Sequence, residues 1–171
     1  MKTVGGLTNE EMHAAFVEWN KAELESYLIE ISSYILEKKD DKKDDNSFLV
    51  DKILDKTGMK GTGKWTSQSA MDFGVAVPTI DSSVSMRIIS SFKDVRVLGE
   101  EIYPKSNSIL GEVSVGDLEK ALIYGFTICY AQGLSQLKVT SLEKGYSLDY
   151  REICKIWRGC LLYTSPSPRD S

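Results

Sequence analysis

Apolar residues along the chain recur at helical spacing nearly everywhere. Met12, Phe16 and Trp19 follow one another at intervals of four and three residues, which is the spacing of one helical face. Thr8 and Glu11 just before them match a capping box, the sequence signature of a helix N-terminus. No stretch alternates apolar and polar residues over a length typical of a strand. The pattern therefore predicts an all-α fold.

The same spacing predicts further helices along the rest of the chain. They cover about residues 24–35, 47–58, 66–73, 78–102, 114–142 and 151–157. Asn20, together with Glu23, is a candidate cap for the first of these, and Asp149 is a candidate for the last. Gly58 and Gly145 suit helix ends. Small residues in the longest helix, Gly125, Ala131 and Gly133, predict close helix packing.

Composition places the chain among ordinary globular domains. It has 171 residues, of which 42% are hydrophobic and 27% charged, enough for one domain with a sizeable core. A net charge of -4 argues against a general nucleic-acid binder, and no apolar run is long enough to span a bilayer. Three cysteines without a CxxC pair indicate neither a disulfide framework nor a zinc site. We expect a cytoplasmic protein.

Two stretches carry no function in this interpretation. Residues 38–46 are a mixed-charge run that has nothing to bury and suits a solvated turn. Residues 161–171, LLYTSPSPRDS, have no period, and we predict that this tail is foreign to the gene or disordered. The expected domain is therefore residues 1–160. His13, without a visible partner, is expected on a helix surface.

The stretch GMKGTGKWT, residues 58–66, is a candidate phosphate-binding loop. Its spacing partly matches the nucleotide motif G-x-x-x-x-G-K-[ST] through Gly58, Gly63 and Lys64. The next residue is Trp65, where the motif needs a hydroxyl group to hold magnesium. The preceding residues also predict a helix instead of the strand that this motif follows. The sequence therefore argues against a nucleotide loop.

A phosphate of another kind remains possible at the same place. Lys60, Thr62 and the backbone of Gly61 and Gly63 offer donors at the start of a predicted helix, and Arg87 at the edge of the next helix could add a fork of donors. The alternative is that these glycines form only a tight interhelical turn and that Arg87 lies along the surface. Spacing alone favours neither interpretation.

Several motifs resemble those of decarboxylating 6-phosphogluconate dehydrogenases. The strongest is KGTGKWTSQSAMDFGVAVP, followed by VSMRIISSFKDVR. VGGLTNEEM, FVEWNKAELESYLIEI and the late IWRG are similar to the same enzymes, so the resemblance covers about residues 4–159. It implies the large helical C-terminal domain of that family.

The resemblance implies a function and a site. Members of the family oxidise 6-phosphogluconate with NADP and release CO2, giving ribulose 5-phosphate, and they work as homodimers whose interface lies in this helical domain. By resemblance, Lys60, Thr62 and Arg87 bind the substrate phosphate.

Other parts of the family pattern are absent from this sequence. The dinucleotide-binding domain is one, and the helix with the lysine base and glutamate acid is another, so no catalytic residue is assigned here. We therefore expect a middle piece of the enzyme that is inactive alone. The alternative is a noncatalytic helical dimerisation or interaction module with a structural glycine loop.

Overall fold

The computed structural model describes residues 1–42, 46–58, 60–103 and 113–158. Among these residues there is no strand beyond one isolated antiparallel bridge between Lys39 and Phe48, so the predicted all-α fold is confirmed. The helices, in chain order, are α1 (Lys2–Gly5), α2 (Asn9–Trp19), α3 (Tyr27–Glu37), a 3-10 helix (Leu49–Lys52), α4 (Thr62–Asp72), α5 (Pro78–Ser91), α6 (Lys93–Ile102), α7 (Val115–Lys144) and α8 (Tyr150–Arg158). None of the helices in these ranges is both long and apolar enough to cross a membrane.

Helices α2 and α3 form the first packed pair. The predicted capping box at the start of α2 is present, because Thr8 accepts a hydrogen bond from the Glu11 amide and Glu11 accepts one from the Thr8 amide. Helix α3 begins later than predicted. Ser26 is its N-cap, and the Asn20 side chain accepts a hydrogen bond from the Ser26 amide instead of capping the helix itself.

A small core lies between this pair and the start of α7. Ala15, Trp19, Leu24 and Ile29 are buried together, and three residues of α7 pack against them: Leu118, Leu122 and Ile123. This core joins the N-terminal pair to the longest helix of the molecule. His13 on α2 is partly buried, and its Nδ1 lies 2.9 Å from the Ser33 carbonyl oxygen.

The helix predicted over residues 47–58 is wrong. Only the 3-10 turn Leu49–Lys52 forms, and residues 53–58 are neither helical nor strand. The apolar pattern misled here because Ile53 and Leu54 are 62% and 67% exposed, so their spacing marks no buried face. Hydrogen bonds hold the segment instead: the Asp40 amide donates to Ser47 O and the Leu49 amide to Lys38 O. Residues 43–45 of the mixed-charge run lie outside the described part.

The single helix predicted over residues 78–102 is two helices. Phe92 lies between α5 and α6 with φ −88° and ψ 60°, and its amide donates to Ile89 O in a 3-10 turn. Arg96 donates a hydrogen bond to the Ser90 carbonyl at this break. The side chain thus replaces one of the backbone partners that the interruption removes.

Helix α7 has 30 residues and packs against both the N-terminal core and α5. The helix begins where the sequence predicted, and Ser114 and Asp117 form a complete capping box there. Hydrogen bonds from Ser114 hold the pKa of the Asp117 carboxyl below its usual value. Gly145 ends the helix in the left-handed conformation, which glycine adopts without a steric cost.

The close helix packing predicted at the small residues of α7 is not present at Gly133 or Gly125, because a Cβ atom would fit at either position. A Cβ atom built at Gly133 would lie 3.6 Å from the Trp157 ring of α8. A Cβ atom at Gly125 would meet no described atom within 4 Å. The predicted tail, residues 161–171, lies outside the described part of the chain, so its foreign origin stays a prediction.

Candidate phosphate-binding site

The glycine stretch is the start of a helix. Helix α4 begins at Thr62, four residues earlier than predicted, and Gly61 is its N-cap. Gly61 has φ +99°, a backbone conformation that side-chain-bearing residues rarely adopt. Thr62, Gly63 and Lys64 therefore form the first turn, where backbone N–H groups have no partner within the helix.

Gly63 allows α4 and α5 to approach closely. A Cβ atom at Gly63 would lie 2.9 Å from Val84 Cγ2, closer than packed side chains normally come. Val84 precedes Arg87 by three residues, so the two side chains share one face of α5. The close contact therefore brings the Arg87 side of α5 to the first turn of α4.

A cleft of about 280 Å³ lies where these two helices meet. All three residues predicted to bind a phosphate, Lys60, Thr62 and Arg87, line it. The remaining lining residues are Gly61, Gly63 and Val84. The side chains of Lys60, Thr62 and Arg87 are exposed, so the cleft is open to solvent in this chain.

Arg87 is held in place by the irregular segment before the cleft. Its Nε donates a 2.8 Å hydrogen bond to the Gly58 carbonyl, and Thr57 Oγ1 donates a 2.9 Å bond to the Arg87 carbonyl. A guanidinium has five N–H donors, so this arrangement leaves those on the terminal nitrogens for a ligand. Nothing in the sequence indicated that the Gly58 carbonyl would be a partner of Arg87.

The charge around the cleft favours an anion. Lys60, Arg87 and the N-terminal end of α4 all contribute positive potential, and none of the described residues that line the cleft is acidic. The carboxylate that precedes the cleft in sequence, Asp55, is paired with Arg96 at 2.8 Å. The hydrogen bond from Arg96 lowers the pKa of Asp55 below its usual value.

The described residues do not support a metal-dependent nucleotide site. Trp65 stands where the nucleotide motif needs a hydroxyl group, and its ring lies over Gly61. The sequence also predicted a helix before Gly58 in place of the strand that the motif follows, and this prediction is wrong because the segment is not helical. It is not a strand either, so the motif still lacks its context.

Two glutamines of α7, which were not among the candidates from the sequence, position the two helices that form the cleft. Gln132 Oε1 accepts hydrogen bonds from the Thr79 and Ile80 amides at the start of α5. Gln136 Nε2 donates to the Thr66 carbonyl of α4. They lie one turn apart on α7, and two amides at this spacing on one face of the helix were the available signal. Through them α7 holds both helices that form the cleft.

These features define a class of protein: an all-α domain with an open, positively charged cleft at the start of one helix. Residues 1–165 match the family profile described as 6-phosphogluconate dehydrogenase, C-terminal domain. The chain belongs to this family, so the resemblance in its motifs is confirmed.

Similar proteins carry the same family name. The chain is 46% identical over 172 residues to "6-phosphogluconate dehydrogenase, decarboxylating 2" of Arabidopsis thaliana, covering 95% of the chain and 35% of that relative. It is 46% identical over 166 residues to the decarboxylating enzyme of Lactococcus lactis strain IL1403, with the same coverage. The fold matches a Plasmodium falciparum 6-phosphogluconate dehydrogenase structure with a TM-score of 0.81 and 40% identity, covering 93% of the chain and 35% of that structure. The chain thus spans about 35% of the length of these relatives.

Proposed function

We propose that the chain is the part of an NADP-dependent, decarboxylating 6-phosphogluconate dehydrogenase that binds the substrate phosphate and contributes to the dimer interface. The observation that carries the proposal is the convergence of Lys60, Thr62 and Arg87 on one cleft. Family membership supports the choice of substrate, and the Plasmodium falciparum relative is described in complex with its cofactor NADP+ and with its substrate 6-phosphogluconate. A cytoplasmic location belongs to the same proposal, although some relatives are named as chloroplastic.

The proposed role of each residue follows from its chemistry. The Lys60 ammonium and the terminal nitrogens of Arg87 neutralise the charge of the phosphate, and Thr62 offers a hydroxyl donor and a backbone N–H at the start of α4. The phosphate does not react, so its binding energy serves to orient the distant reacting carbon. NADP, when bound to the whole enzyme, accepts the hydride. The described residues contain no strand followed by a glycine fingerprint, so no cofactor contact or proton transfer is assigned to them.

The proposed homodimer interface rests on exposed apolar residues of α6. Val95, Leu98 and Ile102 lie on one face of the helix and are 67%, 54% and 60% exposed. Exposed apolar patches on folded proteins mark interaction sites. The alternative is a noncatalytic dimerisation module. Such a module would use the same surface, but its cleft would bind no ligand.

Titration of the chain with 6-phosphogluconate and with gluconate separates the two functions. We expect the chain to bind the phosphorylated compound more tightly, because gluconate lacks the group that the cleft holds. Replacing Lys60 or Arg87 with alanine removes charge-assisted contacts worth about 1.5–3 kcal/mol each. The affinity for 6-phosphogluconate, measured by isothermal titration calorimetry, should then fall about 10- to 100-fold.

Lys64→Ala is the matched control. Lys64 lies in the same first turn of α4 and is exposed, but it does not line the cleft. Lys64→Ala removes the same charge from the region as Lys60→Ala. A small loss of affinity for 6-phosphogluconate in Lys64→Ala and a large loss in Lys60→Ala would indicate that Lys60 contacts the phosphate directly. Equal affinities for 6-phosphogluconate and gluconate would contradict the proposal and favour the dimerisation module.

A further inference from the structure

Arg96 lies at the end of a chain of contacts that leads to Arg87. Its Nη1 donates to Asp55 Oδ2 at 2.8 Å, and its Nη2 donates to the Asp55 carbonyl at 2.7 Å and to the Ser90 carbonyl at 3.1 Å. One side chain of α6 thus binds two atoms of the irregular segment and one atom of α5. Lys93 Nζ also approaches Asp55 Oδ2 at 4.0 Å.

The segment that Arg96 holds, residues 53–58, is irregular. The residues just before it are held from elsewhere, because Asp51 accepts hydrogen bonds from Lys2 and Asn9. Lys52 donates to Asp40. Residues 51–58 are all exposed, and residues 53–58 form neither helix nor strand. Asp55 lies at the tip of a three-residue turn in which the Lys56 amide donates to Leu54 O at 2.8 Å. Two and three residues later, Thr57 and Gly58 make the hydrogen bonds that orient Arg87. The position of the Gly58 carbonyl therefore depends on polar contacts, and within residues 53–58 the contacts to α6 are those of Asp55 with Arg96 and, at a longer distance, with Lys93.

We infer that Arg96 is a positioning residue of the phosphate site: by holding Asp55, it fixes the segment whose Gly58 carbonyl orients the Arg87 guanidinium. An exposed ion pair by itself contributes little to stability. Arg96 differs because it binds three acceptors on two elements, and because its Nε is buried without a hydrogen-bond partner among the described residues. These contacts fix the Arg96 side chain, and they suit a residue that positions neighbouring groups. Its effect on ligand binding is preorganisation, which avoids ordering Arg87 at the moment of binding.

The expected effect on ligand binding rests on the proposed function, but the contact between Arg87 and Gly58 can be tested without a ligand. The Nε–H signal of Arg87 can be observed in the 15N-labelled 171-residue chain and assigned with Arg87→Lys. Because this N–H donates to Gly58 O, its exchange with solvent reports the contact directly. In Arg96→Ala we expect the exchange to become at least 5-fold faster and the affinity for 6-phosphogluconate to fall about 5- to 10-fold. Arg96→Lys should resemble Arg96→Ala, because one ammonium does not reproduce the three-acceptor fork.

Arg151→Ala is the matched control, since it removes the same charge from an exposed position on α8. Unchanged exchange at Arg87 in Arg96→Ala would overturn the inference, even if the variant were less stable. If Arg96→Ala does not fold, Asp55→Asn weakens the same contact, and unchanged exchange there would overturn it equally. If Arg96 controls the Arg87 signal but even the unmodified chain does not bind 6-phosphogluconate, the positioning role stands and the proposed function fails.

Discussion

Gly63 contributes to the cleft through its missing side chain. The sequence suggested that this glycine lets backbone amides reach a phosphate, and the structure adds that it lets α4 pack against Val84. Val84 is branched at Cβ and therefore has little freedom to move its methyl groups aside. Gly63 thus lies both in the proposed phosphate site and in the contact between α4 and α5.

Gly63→Ala should lower the free energy of unfolding. Overpacking against Val84 costs about 1–3 kcal/mol, which exceeds the gain of about 1 kcal/mol from replacing glycine inside a helix. Gly125→Ala in α7 is the control, because a Cβ there meets no described atom and the substitution should stabilise by about 0.5–1 kcal/mol. Urea denaturation of both variants measures the difference. Equal stabilisation by the two substitutions would mean that the α4–α5 contact is looser than described.

The site residues were predictable to different degrees. Lys60, Thr62 and Arg87 carry side chains suited to a phosphate, so they could be named as candidates from the sequence. The Gly58 carbonyl could not be named, because every residue has a carbonyl and only the fold brings this one to Arg87. Arg96 was missed for a related reason: its partners Asp55 and Ser90 lie in two separate segments, and no local spacing joins them.

At the scale of elements, the starts of α2 and α7 were predictable from nearby residues, but the start of α3 and the segments that depend on distant contacts were not. The capping boxes at Thr8 and Ser114 each lie within four residues, so the chain forms them without distant help. The segment 47–58 has helical spacing, but its residues 51–58 are exposed, and hydrogen bonds to distant parts of the chain determine its path. The break at Phe92 was also invisible, since apolar residues continue at helical spacing through it.

Gln132 should matter for the stability of α5. Val77, the N-cap of α5, offers no side-chain hydrogen bond, and Gln132 of α7 accepts from the first amides in its place. Gln132→Leu leaves these partly buried amides without their acceptor, at a cost of about 1–3 kcal/mol in chemical denaturation. Gln132→Glu keeps an acceptor at a helix N-terminus, where negative charge is favourable, and should keep most of the stability. A Leu variant as stable as the Glu variant would contradict this capping role.

At the scale of the whole molecule, the exposed face of α6 should drive self-association. Sedimentation velocity over a range of concentrations should show a dimer, and Leu98→Glu should shift it to monomer by placing a charge in an apolar interface. Tyr146→Glu is the control, because Tyr146 is also 60% exposed but follows the end of α7. A chain that stays monomeric at every concentration, or equal effects of both variants, would contradict the proposed interface.

The hydrogen bond from Arg87 to Gly58 also bears on which phosphorylated compounds suit the cleft. With Nε occupied, the guanidinium presents only the edge between its two terminal nitrogens, so an anion must meet it end-on. In the proposed function, Lys60 and Thr62 of the same cleft would bind further oxygens on the same phosphorus atom. A monoester has three unesterified oxygens to share among these donors, whereas a phosphodiester has two and carries less charge. Inhibitors for this cleft would therefore need a terminal phosphate or phosphonate, and bridging diesters would be poor mimics.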